Sequence, residues 1–566
     1  MTQLLAWAFL FTLPGLVLGA TGLVRKAGAV SQIGPAAILA CAVVWLVGGY
    51  QSGGIELANW LPFMPDPRFF LRVDGLSAFM LAVLGLIATC VYIYSLGYMA
   101  DDPGIRRFFA FLDVFVGAMA LLVVAGNLTV LLIGWTGVGM TSYFLISFWR
   151  NRPGTLYAGL QAIAANAIGD AALILAAVLV PAGCGDLLTL QAPGCAAGFG
   201  GAALVGALVV VAASAKSAQG PLYFWLPSAM AGPTPISALI HAATMVAAGV
   251  YILARTHALL SLTPALLAAV AALGVATAIF GAIQSLRQSN LKRGLAYSTV
   301  SQLGYMVAAI GFSAPFAAMF HLGSQALFKA LLFLAAGVVI HALAGEEELS
   351  GMGGLARSLP GAAAGFFVGS IALFGLPLTA GSFSKDDILA AAFESGAFNQ
   401  LMGWLLVLSV FLSGLYIGRL FFATFGGPAQ EGRHVHKPGA SLTWPLIPLA
   451  AGSLLFGYSQ VPLGGLGGIL APALGGVAVQ PFASPMGLLS ALLGLAGFVA
   501  AWFWQARARR PIPPLPEGYG WVDGAASLSL RLAGGVAAMQ NGRAGRYVLL
   551  MILGFGAILF AGVLTR

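Results

Sequence analysis

Five ionisable side chains stand inside runs that are otherwise almost wholly apolar. Lys216 sits in Ala-Ser-Ala-Lys-Ser-Ala-Gln, Lys329 in Gln-Ala-Leu-Phe-Lys-Ala-Leu-Leu-Phe-Leu and Lys385 in Phe-Ser-Lys-Asp-Asp-Ile-Leu. His241 lies in Leu-Ile-His-Ala-Ala-Thr-Met, and His321 precedes Lys329 by about two helical turns on the same face. An ionised lysine at the centre of a membrane helix costs about 2.5–3.5 kcal/mol on insertion scales, so it faces a partner or water and does something there. A lysine amine held away from water can exchange its proton near neutral pH, and imidazole titrates there already. Spaced through a bundle and bridged by water, such groups form a proton relay. For His321 the alternative of a hydrogen-bonded core residue stays open. Lysines snorkelling to the interface fit Lys216 and Lys329 poorly, because both lie well inside their runs. No nucleophile–base pair, metal-ligand motif or phosphate loop competes with this chemistry. Cys41 and Cys90 fall in apolar segments, and no CxxC or Cys/His cluster exists to hold zinc or an iron–sulfur centre.

The elements that would position these groups are membrane helices. Of 566 residues, 60% are hydrophobic and 8% charged, with a mean hydropathy of +0.95, too little charge to cover a soluble protein of this length. Apolar runs long enough to span recur along the whole chain, and the pattern predicts an all-α polytopic membrane protein of about 16 transmembrane helices. Two helices are predicted to be broken, one where Lys216 meets Gly220-Pro221 and one around Gly375-Leu376-Pro377 with Lys385 beyond. Interruptions in corresponding places of two five-helix blocks point to inverted repeats around a midplane ion site. The corresponding organisation is residues 1–72 as N-terminal helices with an external loop, 73–260 and 261–430 as the two repeats, and 431–566 as C-terminal helices.

The net charge of +9 is not a nucleic-acid signature, because the basic residues alternate between loops. Arg25 and Lys26, Arg106 and Arg107, Arg150 and Arg152, Lys292 and Arg293, Arg433 and Lys437, and Arg507 to Arg510 fall on one side. By the positive-inside rule this predicts a bacterial inner-membrane protein with both termini on the periplasmic side. The first apolar stretch is followed, not preceded, by Arg25 and Lys26, which reverses a cleavable signal and predicts a retained first helix. Cys184 and Cys195 then share an external loop, where a disulfide is expected and two unpaired thiols are the alternative.

Several stretches resemble a known family. Ala229-Met230-Ala231-Gly232-Pro233-Thr234-Pro235-Ile236-Ser237-Ala238-Leu239-Ile240-His241-Ala242-Ala243-Thr244-Met245 is similar to the central motif of the antiporter-like subunits, most closely subunit L of bacterial NADH:quinone oxidoreductase. Leu291-Lys292-Arg293-Gly294-Leu295-Ala296-Tyr297-Ser298, Phe328-Lys329-Ala330-Leu331 and Phe383-Ser384-Lys385-Asp386-Asp387 carry the same resemblance, strongest over residues 70–430. It implies a proton-translocating subunit of the membrane arm, driven by quinone reduction elsewhere in the complex, and so an enzyme component without redox chemistry of its own. Quinone, flavin and iron–sulfur clusters would belong to partner subunits, the nearest partners being other antiporter-like subunits and the lipid bilayer. Lys216 would be the lysine of the first broken helix, His241 the bridging histidine, Lys329 the central lysine and Lys385 the lysine of the second broken helix. His321 and Asp386 flank the last two, and Asp170 matches an acid of the sixth helix. The alternatives are an Mrp-type cation/proton antiporter subunit, the membrane partner of a bicarbonate-accumulating complex, and a structural subunit whose pump has decayed.

Three positions depart from the family pattern. Thr136 replaces a glutamate, Ala167 an arginine, and Gln325 a histidine four residues before Lys329. The first two read as a paired loss, since either charge alone would be buried without compensation. Lys216 would then lack its usual carboxylate, and Asp113, too near its helix end, would replace it poorly. The short stretch after Arg507, with Pro511, Pro513, Pro514 and Pro516, predicts a truncated or absent lateral helix.

Overall fold

A computed structural model describes residues 1–20, 27–57, 68–181, 184–187, 201–394, 396–428, 434–460, 465–474 and 485–507. Helices dominate, and among the described residues eleven are long and apolar enough to cross a membrane. In chain order the elements used below are α1 (Leu13–Ala20), α2 (Ile33–Gly48), β1 (Gly53–Leu57), β2 (Phe69–Val73), α3 (Gly75–Tyr98), α4 (Ile105–Val124), α5 (Leu128–Ile146) and α6 (Thr155–Leu179). They continue with α7 (Ala202–Lys216), α8 (Thr234–Ala242), α9 (Met245–Arg255), α10 (Pro264–Arg287), α11 (Leu291–Gly311), α12 (Pro315–Ala342), α13 (Pro360–Phe374), α14 (Ala380–Glu394), α15 (Ala397–Phe425), α16 (Leu446–Leu455) and α17 (Pro485–Arg507). The chain after Arg507, including the stretch read for a lateral helix, and Cys195 lie outside the described residues. Cys184 is disulfide-bonded, while Cys41 and Cys90 are free thiols.

The expectation of an all-α chain needs one correction. β1 and β2 pair antiparallel, Gly53 opposite Val73 and Leu57 opposite Phe69. Phe69, Leu71 and Val73 turn inward while Phe70 and Arg72 are half-buried, the two-residue alternation of a strand packed on one face. The strand delivers the chain to Asp74, which caps α3 by accepting from the Ser77 backbone N–H at 2.9 Å, while the Ser77 hydroxyl answers the Asp74 N–H at 2.8 Å.

Close helix packing explains much of the glycine content. A Cβ on Gly274 of α10 would lie 2.3 Å from the Ala308 nitrogen of α11, and one on Gly304 would lie 2.5 Å from the Ala278 nitrogen. The two helices therefore touch backbone to backbone, the arrangement small residues permit in lipid. The apolar window of α12, a helix of 28 residues, is buried completely, as is that of the segment Thr234–Arg255.

Both expected interruptions are present, and a third joins them. α7 ends at Lys216 and helix resumes only at Trp225; α13 ends at Phe374, with Gly375 in the left-handed region at φ 88°, and α14 begins at Ala380. The freed carbonyls are met by side chains from across each gap. The Trp225 indole N–H donates to the Ala215 carbonyl at 2.8 Å, and the Lys385 ammonium to the Leu373 carbonyl at 2.7 Å. A backbone break inside a membrane protein persists because such groups re-satisfy it. The third break, not foreseen in the sequence, parts α8 from α9 at Ala243 and Thr244. No glycine or proline marks it; the Thr244 hydroxyl donates to the Leu239 carbonyl at 2.8 Å, beside the Ala243 N–H that reaches the same oxygen at 3.4 Å.

Candidate functional site

The sequence-predicted residues fall into three stations. At the first, Lys216 closes α7 with no exposed surface. Its ammonium donates to the Trp135 carbonyl of α5 at 3.0 Å, lies 5.2 Å from the Trp135 ring centre, and sits 3.8 Å from an Asp170 carboxylate oxygen of α6. Asp170 is therefore the acid that faces Lys216. Lys216 was expected to have less negative charge nearby without the family's usual carboxylate, and Asp170 supplies that charge instead. Asp113 does not serve there: Tyr92 donates to one of its carboxyl oxygens at 3.0 Å, and the Ser31 hydroxyl lies 2.8 Å from the other.

The paired-loss argument needs correcting as well. Thr136 and Ala167 are both exposed on the outside of this chain, so a lone charge at either place would not be buried in it. The reason is rotational setting: on α5, Ile133 and Met140 turn outward with Thr136.

One unforeseen residue shapes this station. A Cβ on Gly139 would come 2.7 Å from the Lys216 ammonium nitrogen and 3.7 Å from the Asn166 Cβ. The crowded atom is the end of a flexible chain, so Gly139→Ala is expected to leave assembly intact while pushing the ammonium off the Trp135 carbonyl. Proton transfer should then fall by about tenfold, the effect of losing roughly 1.4 kcal/mol of transition-state stabilisation. Initial rates of lumen acidification in reconstituted vesicles check this, and an unchanged rate contradicts it.

The second station is the centre of α12. Lys329 is fully buried and its ammonium donates to the Ser298 hydroxyl of α11. His241 lies across from it: the ring of Phe333 packs against the imidazole with centres 4.7 Å apart and planes tilted by 37°, and the Gln325 amide approaches the His241 carbonyl at 3.5 Å. Phe333 and Gln325 stand one turn either side of Lys329. Among the described residues neither His241 ring nitrogen has a hydrogen-bond partner, so these groups alone do not complete a hydrogen-bonded path.

At the third station His321 is doubly held, one ring nitrogen 2.9 Å from the Ser384 hydroxyl and the other 3.2 Å from the Gln302 amide oxygen. The Gln302 amide donates onward to the Tyr416 hydroxyl at 3.1 Å. Ser384 is the neighbour of Lys385, which is buried, binds the Leu373 carbonyl, and lies 5.1 Å from the Tyr305 ring centre. His321 is thus both a satisfied core residue and a link from α12 to α14. Asp386 turns away to α17, where a Cβ on Gly487 would come 2.0 Å from its carboxylate. Its neighbour Asp387 accepts from the Gln460 amide.

Among the described residues no group of three or more His, Cys, Asp or Glu side chains could hold a metal. A buried pair outside the stations was not foreseen. Arg255, at the end of α9, grips both oxygens of Asp74, one of them at 2.7 Å. Its Nε–H donates to Tyr251, and the Tyr251 hydroxyl to the Val123 carbonyl at 2.6 Å. The signal available in the sequence was Asp74-Gly75-Leu76-Ser77, a helix-start pattern that marks Asp74 as an inward-held cap.

Residues 125–415 match the family model described as NADH:quinone oxidoreductase/Mrp antiporter, TM. Residues 60–109 match NADH-Ubiquinone oxidoreductase (complex I), chain 5 N-terminus. The chain belongs to this antiporter-like family of membrane subunits. It is 38% identical over 499 residues to NADH-quinone oxidoreductase subunit L of Mycobacterium tuberculosis, covering 86% of this chain and 78% of that one. To subunit L of Escherichia coli it is 38% identical over 494 residues, covering 84% and 78%. The structure of the Mrp complex from a Dietzia species superposes with a TM-score of 0.80 at 28% identity, over 99% of this chain and 62% of that one.

Proposed function

We propose that this chain is a proton-translocating membrane-arm subunit of an NADH:quinone oxidoreductase. Protons move through the Lys216, His241, Lys329, His321 and Lys385 series, with water bridging the gaps around His241, driven by quinone reduction in other subunits. Flavin, iron–sulfur clusters and quinone belong to those partners, and the nearest neighbours are further antiporter-like subunits. The chain lies in the bacterial inner membrane with both termini periplasmic, and the interruptions at Lys216 and near Lys385 are counterparts in two inverted repeats, residues 73–260 and 261–430.

One observation carries the reading. Lys329 and Lys385 are buried, and among the described residues neither has a carboxylate within ion-pair distance. Amines left without a counter-charge in a membrane protein are expensive, and a transport role accounts for their presence. A cation/proton antiporter is the second reading, favoured by the likeness to the Mrp complex. Reconstituting the native assembly separates the two. NADH oxidation that acidifies the lumen without added sodium supports redox-driven proton transfer. Sodium–proton exchange that ignores NADH supports the antiporter.

A further inference from the structure

Asp113 is a fully buried acid that the relay does not use. It lies in α4, about 12 Å from that helix's first residue. Tyr92 of α3 donates to one carboxyl oxygen at 3.0 Å, and the Ser31 hydroxyl lies 2.8 Å from the other. Over this pair passes the backbone of α1, where a Cβ on Gly15 would come 2.7 Å from the Ser31 hydroxyl oxygen and 2.8 Å from the carboxyl. On the outer side of that one layer, Leu13 and Val17 are 42% and 53% exposed. The acid is therefore separated from the outer surface of this chain by a single turn, which lies closest to it at Gly15.

Among the described residues no Lys, Arg or His lies within ion-pair distance of Asp113. The elements packed around it, α1, the Ala8–Thr12 turn, the Ala27–Ser31 helix and α5, contain no Asp, Glu, Lys, Arg or His. Tyr92 is the titratable side chain that touches it, while Arg72 and Arg255 lie toward the other end of α4, where Leu71 of β2 pairs with Ala125. An ionised carboxylate has about four lone-pair sites to satisfy, and two hydroxyls leave half of them bare. A neutral acid needs one acceptor for its O–H and one donor to its carbonyl, and Ser31 and Tyr92 are that set.

We propose that Asp113, with Ser31 and Tyr92, is a protonated carboxylic acid site separate from the lysine series, open to covalent modification by apolar carbodiimides arriving through the lipid. In that reaction the acid proton moves to one carbodiimide nitrogen, and a carboxyl oxygen bonds to the central carbon, giving an O-acylisourea. With water scarce, the acyl group migrates from oxygen to nitrogen, breaking its C–O bond and forming a C–N bond. The stable N-acylurea keeps every atom of the reagent, and nothing is oxidised or reduced.

The test treats membrane vesicles holding the assembled protein with dicyclohexylcarbodiimide over a pH series, without NADH, and maps adducts by peptide mass spectrometry. An adduct on Asp113 at neutral pH that fades toward alkaline pH is expected. A water-soluble carbodiimide should give at least about tenfold less, because a charged reagent enters the apolar layer poorly. Tyr92→Phe removes the donor that would favour the ionised form, so labelling should persist to higher pH. No adduct on Asp113, equal labelling by the soluble reagent, or labelling insensitive to pH each overturns the proposal. Asp113→Asn, where it assembles, should lose the adduct; the wild-type pH series decides the matter without it. Because the protein is labelled at rest, failure here leaves the translocation reading untouched, and the converse holds.

Discussion

Asp74→Ala is expected to destabilise the folded chain by about 3–5 kcal/mol, enough to remove most of the assembled protein from the membrane. The side chains of Arg255 and Asp74 are 5% and 7% exposed, so deleting the carboxylate strands a guanidinium with no water to replace its partner. The same change removes the cap of α3 and loosens the Tyr251 link to α4. Replacing both, Asp74→Ala with Arg255→Leu, should recover much of the loss, since an apolar pair can stand where a buried ion pair stood. Burial alone would raise the Asp74 carboxyl, but the Arg255 guanidinium beside it prevails and holds it down at about 2 against an ordinary 3.8. Its stabilisation is therefore complete above pH 3.8 and is lost as pH falls toward 2. Thermal unfolding in detergent should accordingly show the same difference between wild type and Asp74→Ala at mildly acidic and neutral pH. A double variant no more stable than the single one would contradict the ion-pair account.

Lys329→Arg and Lys385→Arg are each expected to reduce proton transfer by more than about tenfold while the positive charge remains. A guanidinium does not deprotonate in a protein, whereas an ammonium can pass its proton on. At Lys385 an arginine can still donate to the Leu373 carbonyl and hold the α13–α14 break together. Retained assembly with lost transfer therefore identifies a proton carrier, and normal transfer in Lys385→Arg identifies a fixed structural charge. Assembly is read from the yield of purified complex, and transfer from lumen acidification in vesicles.

How much of this was legible in the sequence differs by residue. Lys216, Lys329 and Lys385 stood out because an apolar run makes any charge conspicuous, and Gly220-Pro221 and Gly375-Leu376-Pro377 marked two of the three breaks. The break at Thr244 carries no such mark, because a threonine hydroxyl bonded to the Leu239 carbonyl leaves no unusual composition behind. The outward setting of Thr136 was unreadable for a different reason. In lipid a helix can be apolar all round, and α5 places Trp135 inward and Met140 outward, so hydrophobic periodicity does not say which face is which. Partners distant in sequence, such as Asp170 for Lys216 and Gln302 for His321, emerge only when the helices are set beside one another. The short pairing of β1 with β2 escaped because half-exposed Gly53–Leu57 has little strand character of its own.

The central claim is that NADH-driven protons cross the membrane through this chain by way of its buried amines. The most direct measurement is the number of protons moved per electron passed to quinone, in vesicles reconstituted with the wild-type assembly and with Lys329→Ala. Lys329 lies fully buried in the middle of α12 and has the Ser298 hydroxyl as its hydrogen-bond partner, so an alanine removes the amine while the helix persists. The account predicts a proton-to-electron ratio clearly below that of the wild type in fully assembled complex. An unchanged ratio in the variant would mean that protons do not pass through this chain.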